Sequence, residues 1–199
     1  MDPRLDFPAT GRNRNALTDV LRGRLGEAAT LLEIASGSGQ HVAWFAARWP
    51  GVRFVPSDPD PRHRASITAW TRELPNVAPP LDLDVLRGPW PLDAPVDHLF
   101  CANLIHVAPL ACTEALFGHG SHAVREGGTL WLYGPFLQSD VPTAPSNLQF
   151  DASLRRRDPT WGIRDLDEVT RLASAAGFLR HEVVAMPANN LFVAFVRQS

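Results

Sequence analysis

Lysine is absent from the chain: all 19 basic side chains among its 199 residues are arginine. That excludes a Schiff-base or lysine-base mechanism. Only two cysteines occur, Cys101 and Cys112, too few for a disulfide framework and suited to a reducing compartment. No run approaches the roughly 20 apolar residues that span a bilayer. The opening residues, MDPRLDFPATGRNRN, lack the apolar core of a secretory signal. A formal charge of −2 gives no electrostatic reason to expect nucleic acid or a membrane as partner. No repeat, low-complexity tract or long linker divides residues 1–199, and 45% of them are apolar. The reading is a soluble, cytoplasmic, single-domain protein with a core of its own.

What is present is an alternation of helical and strand patterns, the mark of a parallel sheet covered on both faces. A first helix is expected from near Asn15, with Leu17, Val20, Leu21 and Leu25 on one face. Strands are expected at 30–35, 52–55, 77–83, 98–103 and 129–133, with a closing pair at 180–185 and 191–196. Pro79 and Pro80 should make the third short or irregular, because neither donates to a ladder. Asp60 before Pro61 is a good N-cap, and Asp165 with Glu168 forms an acidic capping box for a last helix. A helix should span about 109–124. Residues 134–164 read as a long loop, a form usually functional or disordered in a compact domain.

The central motif is Leu31-Leu32-Glu33-Ile34-Ala35-Ser36-Gly37-Ser38-Gly39-Gln40. An acid at a strand end, then a turn of small residues into a helix, resembles the first motif of class I methyltransferases. Small residues let the backbone approach a nucleoside closely. Glu33 can organise the loop or receive a cofactor ammonium. Ala35 stands where that family usually has glycine, which requires a negative φ there. A dinucleotide fingerprint, G-x-G-x-x-G, fails because Val42 replaces its last glycine. A glycine turn with no ligand is the plain alternative.

Two more acids end strands. Asp58, followed by Pro59, is placed to bind ribose hydroxyls, with Asp60 as the rival position. Asp84, followed by Val85, resembles the methyltransferase acid that accepts the adenine amino group. The segments GRNRN, LLEIASGSGQH, PSDPDP, ANLIHVAP, LYGPF, TAPSNLQFDASLRRRDPTWGIRD and VVAMPANNL resemble the family known as domain of unknown function 938, over nearly the whole chain. The resemblance implies an α/β, Rossmann-like class I methyltransferase fold, with a mixed seven-stranded sheet and helices on both faces. It implies binding of S-adenosylmethionine, with S-adenosylhomocysteine as product, and supplies no acceptor.

Methyl transfer from a sulfonium is an in-line displacement that owes much to orientation. His106 is the candidate base, and its titration should then show in the rate near the ordinary imidazole value; the alternative is a loop or capping histidine. Tyr133, the only tyrosine, can orient an acceptor or be a core aromatic with a wet tip. Asn103 should position the methionine end of the cofactor. Arg12 and Asn15, both in GRNRN, are further cofactor candidates, as are Gly37, Gly39 and Gln40 in the loop. Phe136, Asn147, Asp151, Arg155, Trp161 and Arg164 are expected to line an acceptor pocket, unless Asp151 and Arg155 merely pair along a helical turn. His119 and His122 have no acidic ligand nearby, and no metal site is expected. The leading expectation is methyl transfer to a small molecule, at oxygen before nitrogen or sulfur. A catalytically silent cofactor-binding protein, or an enzyme using the cofactor for other chemistry, are the alternatives.

Overall fold

The computed structural model describes residues 2–199. Six strands form one sheet: β1 (Thr30–Ile34), β2 (Arg53–Pro56), β3 (Val96–Ala102), β4 (Val124–Gly134), β7 (Phe178–Met186) and β8 (Asn190–Arg197). Their order is β2-β1-β3-β4-β8-β7. The first four run parallel, while β8 is antiparallel to both β4 and β7. The seventh strand expected at 77–83 survives as two isolated parallel bridges to the outer edge, Phe54 with Val77 and Ser57 with Leu81. Pro79 and Pro80 sit between them and remove two ladder donors, which explains the interruption.

Strand side chains alternate between faces, and both faces are buried. Leu32, Leu99, Leu130, Val193 and Phe195 point to one cluster. It lies under α4 (Leu110–Ala123) and α6 (Leu166–Ala175). Leu31, Phe100, Trp131 and Phe192 point to the other. That cluster is covered by α1 (Pro8–Leu21), α2 (Gln40–Ala46) and α3 (Pro61–Thr71). Two caps follow the chemistry read from the sequence. Asp60 accepts from the Arg62 amide at 2.8 Å, and Asp165 accepts from the amides of Asp167 and Glu168, each at 2.9 Å.

Two expectations are corrected. The first helix begins at Pro8, well before Asn15. Proline suits a first turn, whose amide needs no partner. The long segment after β4 is ordered structure: β5 (Phe136–Leu137) pairs in parallel with β6 (Arg164–Asp165), and α5 (Pro145–Arg157) lies between them. Among the described residues no helix is long and apolar enough to cross a membrane.

Candidate functional site

The carboxyl ends of β1 and β2 place Glu33 and Asp58 at the turn 35–39, and Asp84 follows the bridged segment 77–81. The turn is wound by left-handed residues at alternate positions: Ala35 at φ 56°, Gly37 at φ 57° and Gly39 at φ 85°. The negative φ expected at Ala35 is therefore wrong. The turn closes through Gly39 N–H to the Ser36 carbonyl at 3.0 Å, and Ser36 N–H reaches the Ser57 carbonyl at 2.8 Å. These bonds outweigh a left-handed alanine, which costs about 1–2 kcal/mol. Ala35→Gly should relieve that strain, less about 0.5–1 kcal/mol of extra chain entropy, and stabilise the protein by roughly 0.5 kcal/mol. Denaturant unfolding measures it; a clear loss of stability would mean that the alanine methyl, packed on the core cluster, matters more.

Asp58 is buried and joins this turn to the next helix. Its Oδ2 accepts from Gly37 N–H at 3.0 Å, while Oδ1 accepts from Asp60 N–H at 2.9 Å and pairs with His63 Nδ1 at 3.0 Å. A carboxylate offers about four acceptor positions, so one is left free. Asp60 is committed to its cap and to Arg62. Pro59 is exposed, and its carbonyl accepts from Arg64 at 2.8 Å. Asp84 accepts from the Leu86 amide at 3.0 Å in its own turn, beside buried Val85. Glu33 is 3% exposed, and its Oε2 has no hydrogen-bond partner. Burial, with the Asp58 charge adding to it, pushes its carboxyl up to about 8 against the pull of Ser36.

A strap that the sequence reading missed closes over the same turn. Phe7 N–H and the Asp6 carboxylate both bond the Gln40 side chain, at 2.7 Å each. Leu5 N–H donates to Ser66 Oγ at 2.8 Å, and Trp70 Nε1 donates to the Leu5 carbonyl at 3.0 Å. The Phe7 ring lies over Gly37 and edge-on to His63. Gln40 thus clasps the strap. Only the aromatic residues Phe7 and Trp70 could have signalled this contact.

Beside the turn, at the ends of β3 and β4, lies a cavity of about 490 Å³. Arg12 and Asn103, expected at the cofactor, and Tyr133 and Asn147, expected at the acceptor, line it together with Asn13, Ser146, Phe150 and Asn190. Asn103 turns the chain there at φ 63°, its amide bonded to the Tyr133 carbonyl at 2.8 Å. Tyr133 is buried, with Asn13 and Asn190 beside it on the cavity wall; burial pushes its ionisation upward. Asn13 Oδ1 accepts from His41 Nε2 at 2.7 Å. Phe136 instead lines a neighbouring cavity of about 220 Å³, which shares Asn147 and Asn190.

Other candidates are not brought to the cavity. His106 is fully buried; its Nδ1 accepts from the Arg164 amide at 3.4 Å, and its Nε2 has no partner. A Cβ built on Gly134 would lie 2.5 Å from that Nε2. Burial, helped by the Arg164 charge, holds the imidazole down to about 3, so the expected titration near the ordinary histidine value is corrected. The Arg164 guanidinium clamps the carbonyls of Ile105, Ala108 and Thr160 at 2.8, 2.6 and 2.9 Å. Asp151 pairs with Arg155 at 2.8 Å along one helical turn and accepts from Ile163 N–H at 2.7 Å. Trp161 lies under the Arg157 guanidinium. Asn15 is exposed on α1 away from the cavity lining. Arg164 fastens the segment to the loop after β3, where the His106 carbonyl also accepts from Gly162 N–H at 3.0 Å.

The profile of one family, described as "Protein of unknown function (DUF938)", matches residues 5–197. Among solved structures, an O-methyltransferase family protein from Burkholderia thailandensis is similar at 17% identity and a TM-score of 0.80, over 96% of this chain and 58% of that one. A putative methyltransferase solved in complex with the Haloferax volcanii Trm112 methyltransferase activator shares 15% identity at a TM-score of 0.77, over 96% and 92%. Human N-acetylserotonin methyltransferase, solved in complex with SAM, shares 17% identity at a TM-score of 0.70, over 94% and 55%. The chain spans little more than half the length of the first and third. The shared fold is the α/β, Rossmann-like methyltransferase fold.

Proposed function

The chain belongs to the DUF938 family, and we propose that it transfers a methyl group from S-adenosylmethionine to a small-molecule acceptor, at oxygen before nitrogen or sulfur. The observation that carries this reading is the adjacency of two sites at one end of the sheet. One is an acid-ringed turn of small residues, with the buried Glu33 Oε2 lacking a partner. The other is the amide-lined cavity at the ends of β3 and β4.

The residues fit the cofactor. Glu33 supplies a carboxyl group for an ammonium, Asp58 an acceptor position for the ribose, and Asp84 with the Val85 amide the contacts for adenine. The turn 35–39 provides backbone free of bulky side chains. The dinucleotide alternative is disfavoured because Val42 is packed into the core where that fingerprint needs glycine. When bound, the cofactor supplies an electrophilic methyl group. The chain's part is to orient an acceptor against it, and orientation is worth roughly 7–11 kcal/mol in well-aligned reactions. Tyr133, Asn103 and Asn147 are the polar handles, while Phe150 and Pro135 are the apolar walls.

Calorimetry should show binding of S-adenosylmethionine and S-adenosylhomocysteine and far weaker binding of NAD. Methyl-labelled cofactor incubated with fractionated metabolites should pass its label to a small molecule. Tight NAD binding without the sulfur nucleosides would overturn the reading, and cofactor binding with no label passed on would point to a silent binding protein.

A further inference from the structure

We infer that the acceptor is a small carboxylic acid with an apolar body, bound as its carboxylate by Arg12 and Tyr133 and released as a methyl ester. The inference rests on the methyltransferase reading and names the substrate class of the same cavity.

The first ground is charge. Arg12 is the one charged side chain on the cavity wall, and no Asp, Glu or His lines it. It forms no ion pair among the described residues. A guanidinium left without a carboxylate beside a partly apolar cavity selects an anion.

The second ground is proton inventory. Tyr133 is buried on the cavity wall beside Asn13 and Asn190, and no carboxylate or imidazole lines that wall to take its proton. A phenol with no base beside it keeps its proton to give, and burial opposes its ionisation. Tyr133 is thus a donor into the cavity rather than a base. His106 is walled off behind Gly134, with its imidazole held low. An alcohol or ammonium acceptor would find no side chain to take its proton. A carboxylic acid has already lost its proton at neutral pH.

The step balances without a proton. A carboxylate oxygen forms a bond to the methyl carbon as the sulfonium–methyl bond breaks, and that bond's electron pair remains on sulfur. The negative carboxylate and positive sulfonium become a neutral ester and a thioether. The ester no longer matches Arg12, which favours its release.

The test uses the full chain saturated with S-adenosylhomocysteine, titrated with 3-phenylpropionate, its amide, its alcohol and the corresponding amine. The acid should bind roughly tenfold or more tightly than the other three. With S-adenosylmethionine instead, mass spectrometry should find the methyl ester, formed at a rate flat from about pH 6 to 9. Arg12→Gln should remove the preference for the acid, and Arg12→Lys should restore part of it. Both variants should bind S-adenosylhomocysteine and 5′-methylthioadenosine as the wild type does. Equal binding of acid and amide would overturn the inference while leaving the methyltransferase reading intact. So would an Arg12→Gln variant that loses S-adenosylhomocysteine but keeps methylthioadenosine, since Arg12 would then serve the cofactor's own carboxylate. No binding of S-adenosylhomocysteine to the wild type would overturn both.

Discussion

Gly39→Ala is expected to destabilise the protein by roughly 3 kcal/mol and to abolish cofactor binding. Position 39 has φ 85°, a left-handed conformation that costs an alanine about 1–2 kcal/mol. Strain alone is survivable, because Ala35 already adopts that region four residues earlier. The larger cost is steric. A Cβ on Gly39 would lie 2.6 Å from the Ile67 Cα and 3.1 Å from its Cγ1, and Ile67 is fully buried on α3. Backbone cannot rotate aside as a side-chain tip can, and overpacking of this kind costs about 1–3 kcal/mol. Pushing α3 outward would also strain the Ser66 hydroxyl, which donates to the Ser38 carbonyl at 2.7 Å and receives the strap at Leu5. Gly37→Ala is the control. Its added Cβ would meet only the edge of the Phe7 ring, at 3.0 Å, and that ring is 39% exposed and free to shift. Chemical unfolding and calorimetry on both variants decide the matter: a Gly39→Ala protein no less stable than Gly37→Ala would refute the close-packing argument.

The same packing explains which parts of the molecule were legible in the sequence. β1, β3, β4 and β8 were readable because each is a short apolar run whose two faces are both buried, such as Leu31 and Leu32 or Phe192 and Val193. The acids at 33, 58 and 84 were readable because they end such runs. The helices at the two ends of the reading were harder. α1 starts behind Phe7, which offers no polar cap, and its first turns carry GRNRN rather than an apolar stripe. α5 buries only Asn147 and Leu154, so no period of 3.6 marks it, and residues 134–164 read as loop.

The candidate site divides along a similar line. Asn103 and Tyr133 lie at strand ends, where topology alone points to a ligand. Asn13 and Asn190 come from the first helix and the last hairpin, and only folding sets them beside Tyr133 on one cavity wall. Arg164 and Asp151 look like substrate handles in the sequence because charged side chains carry no label for their partner. In the fold they satisfy main-chain groups of two crossing loops, a need visible only once the loops are adjacent. His106 follows a strand end as a base should, yet burial removes it from both solvent and cavity.

Glu33→Gln should remove most of the change in stability with pH between about 6.5 and 8. Burial is the main cause that raises the Glu33 carboxyl from 4.5 to about 8, so the folded, cofactor-free protein holds a proton there at neutral pH. A folded value above the unfolded one gives stability that is complete below about pH 4.5 and is lost as pH rises through 8. The slope approaches about 1.4 kcal/mol per pH unit. Below pH 6.5 the buried histidines oppose this trend. His41 is lowered by burial to about 4, and such a group loses stability as pH falls. Between about pH 6.5 and 8 Glu33 dominates, and the wild type should lose roughly 2 kcal/mol that the glutamine variant keeps. Binding supplies a second readout. An ammonium placed against Glu33 favours its charged form, so S-adenosylhomocysteine should expel about one proton at pH 7. Calorimetry in buffers of different ionisation enthalpy counts that proton directly. In the Glu33→Gln protein the release should vanish, and affinity should fall while ceasing to rise with pH. Proton release unchanged by the substitution would assign the ammonium to another group and leave Glu33 as an organiser of the turn.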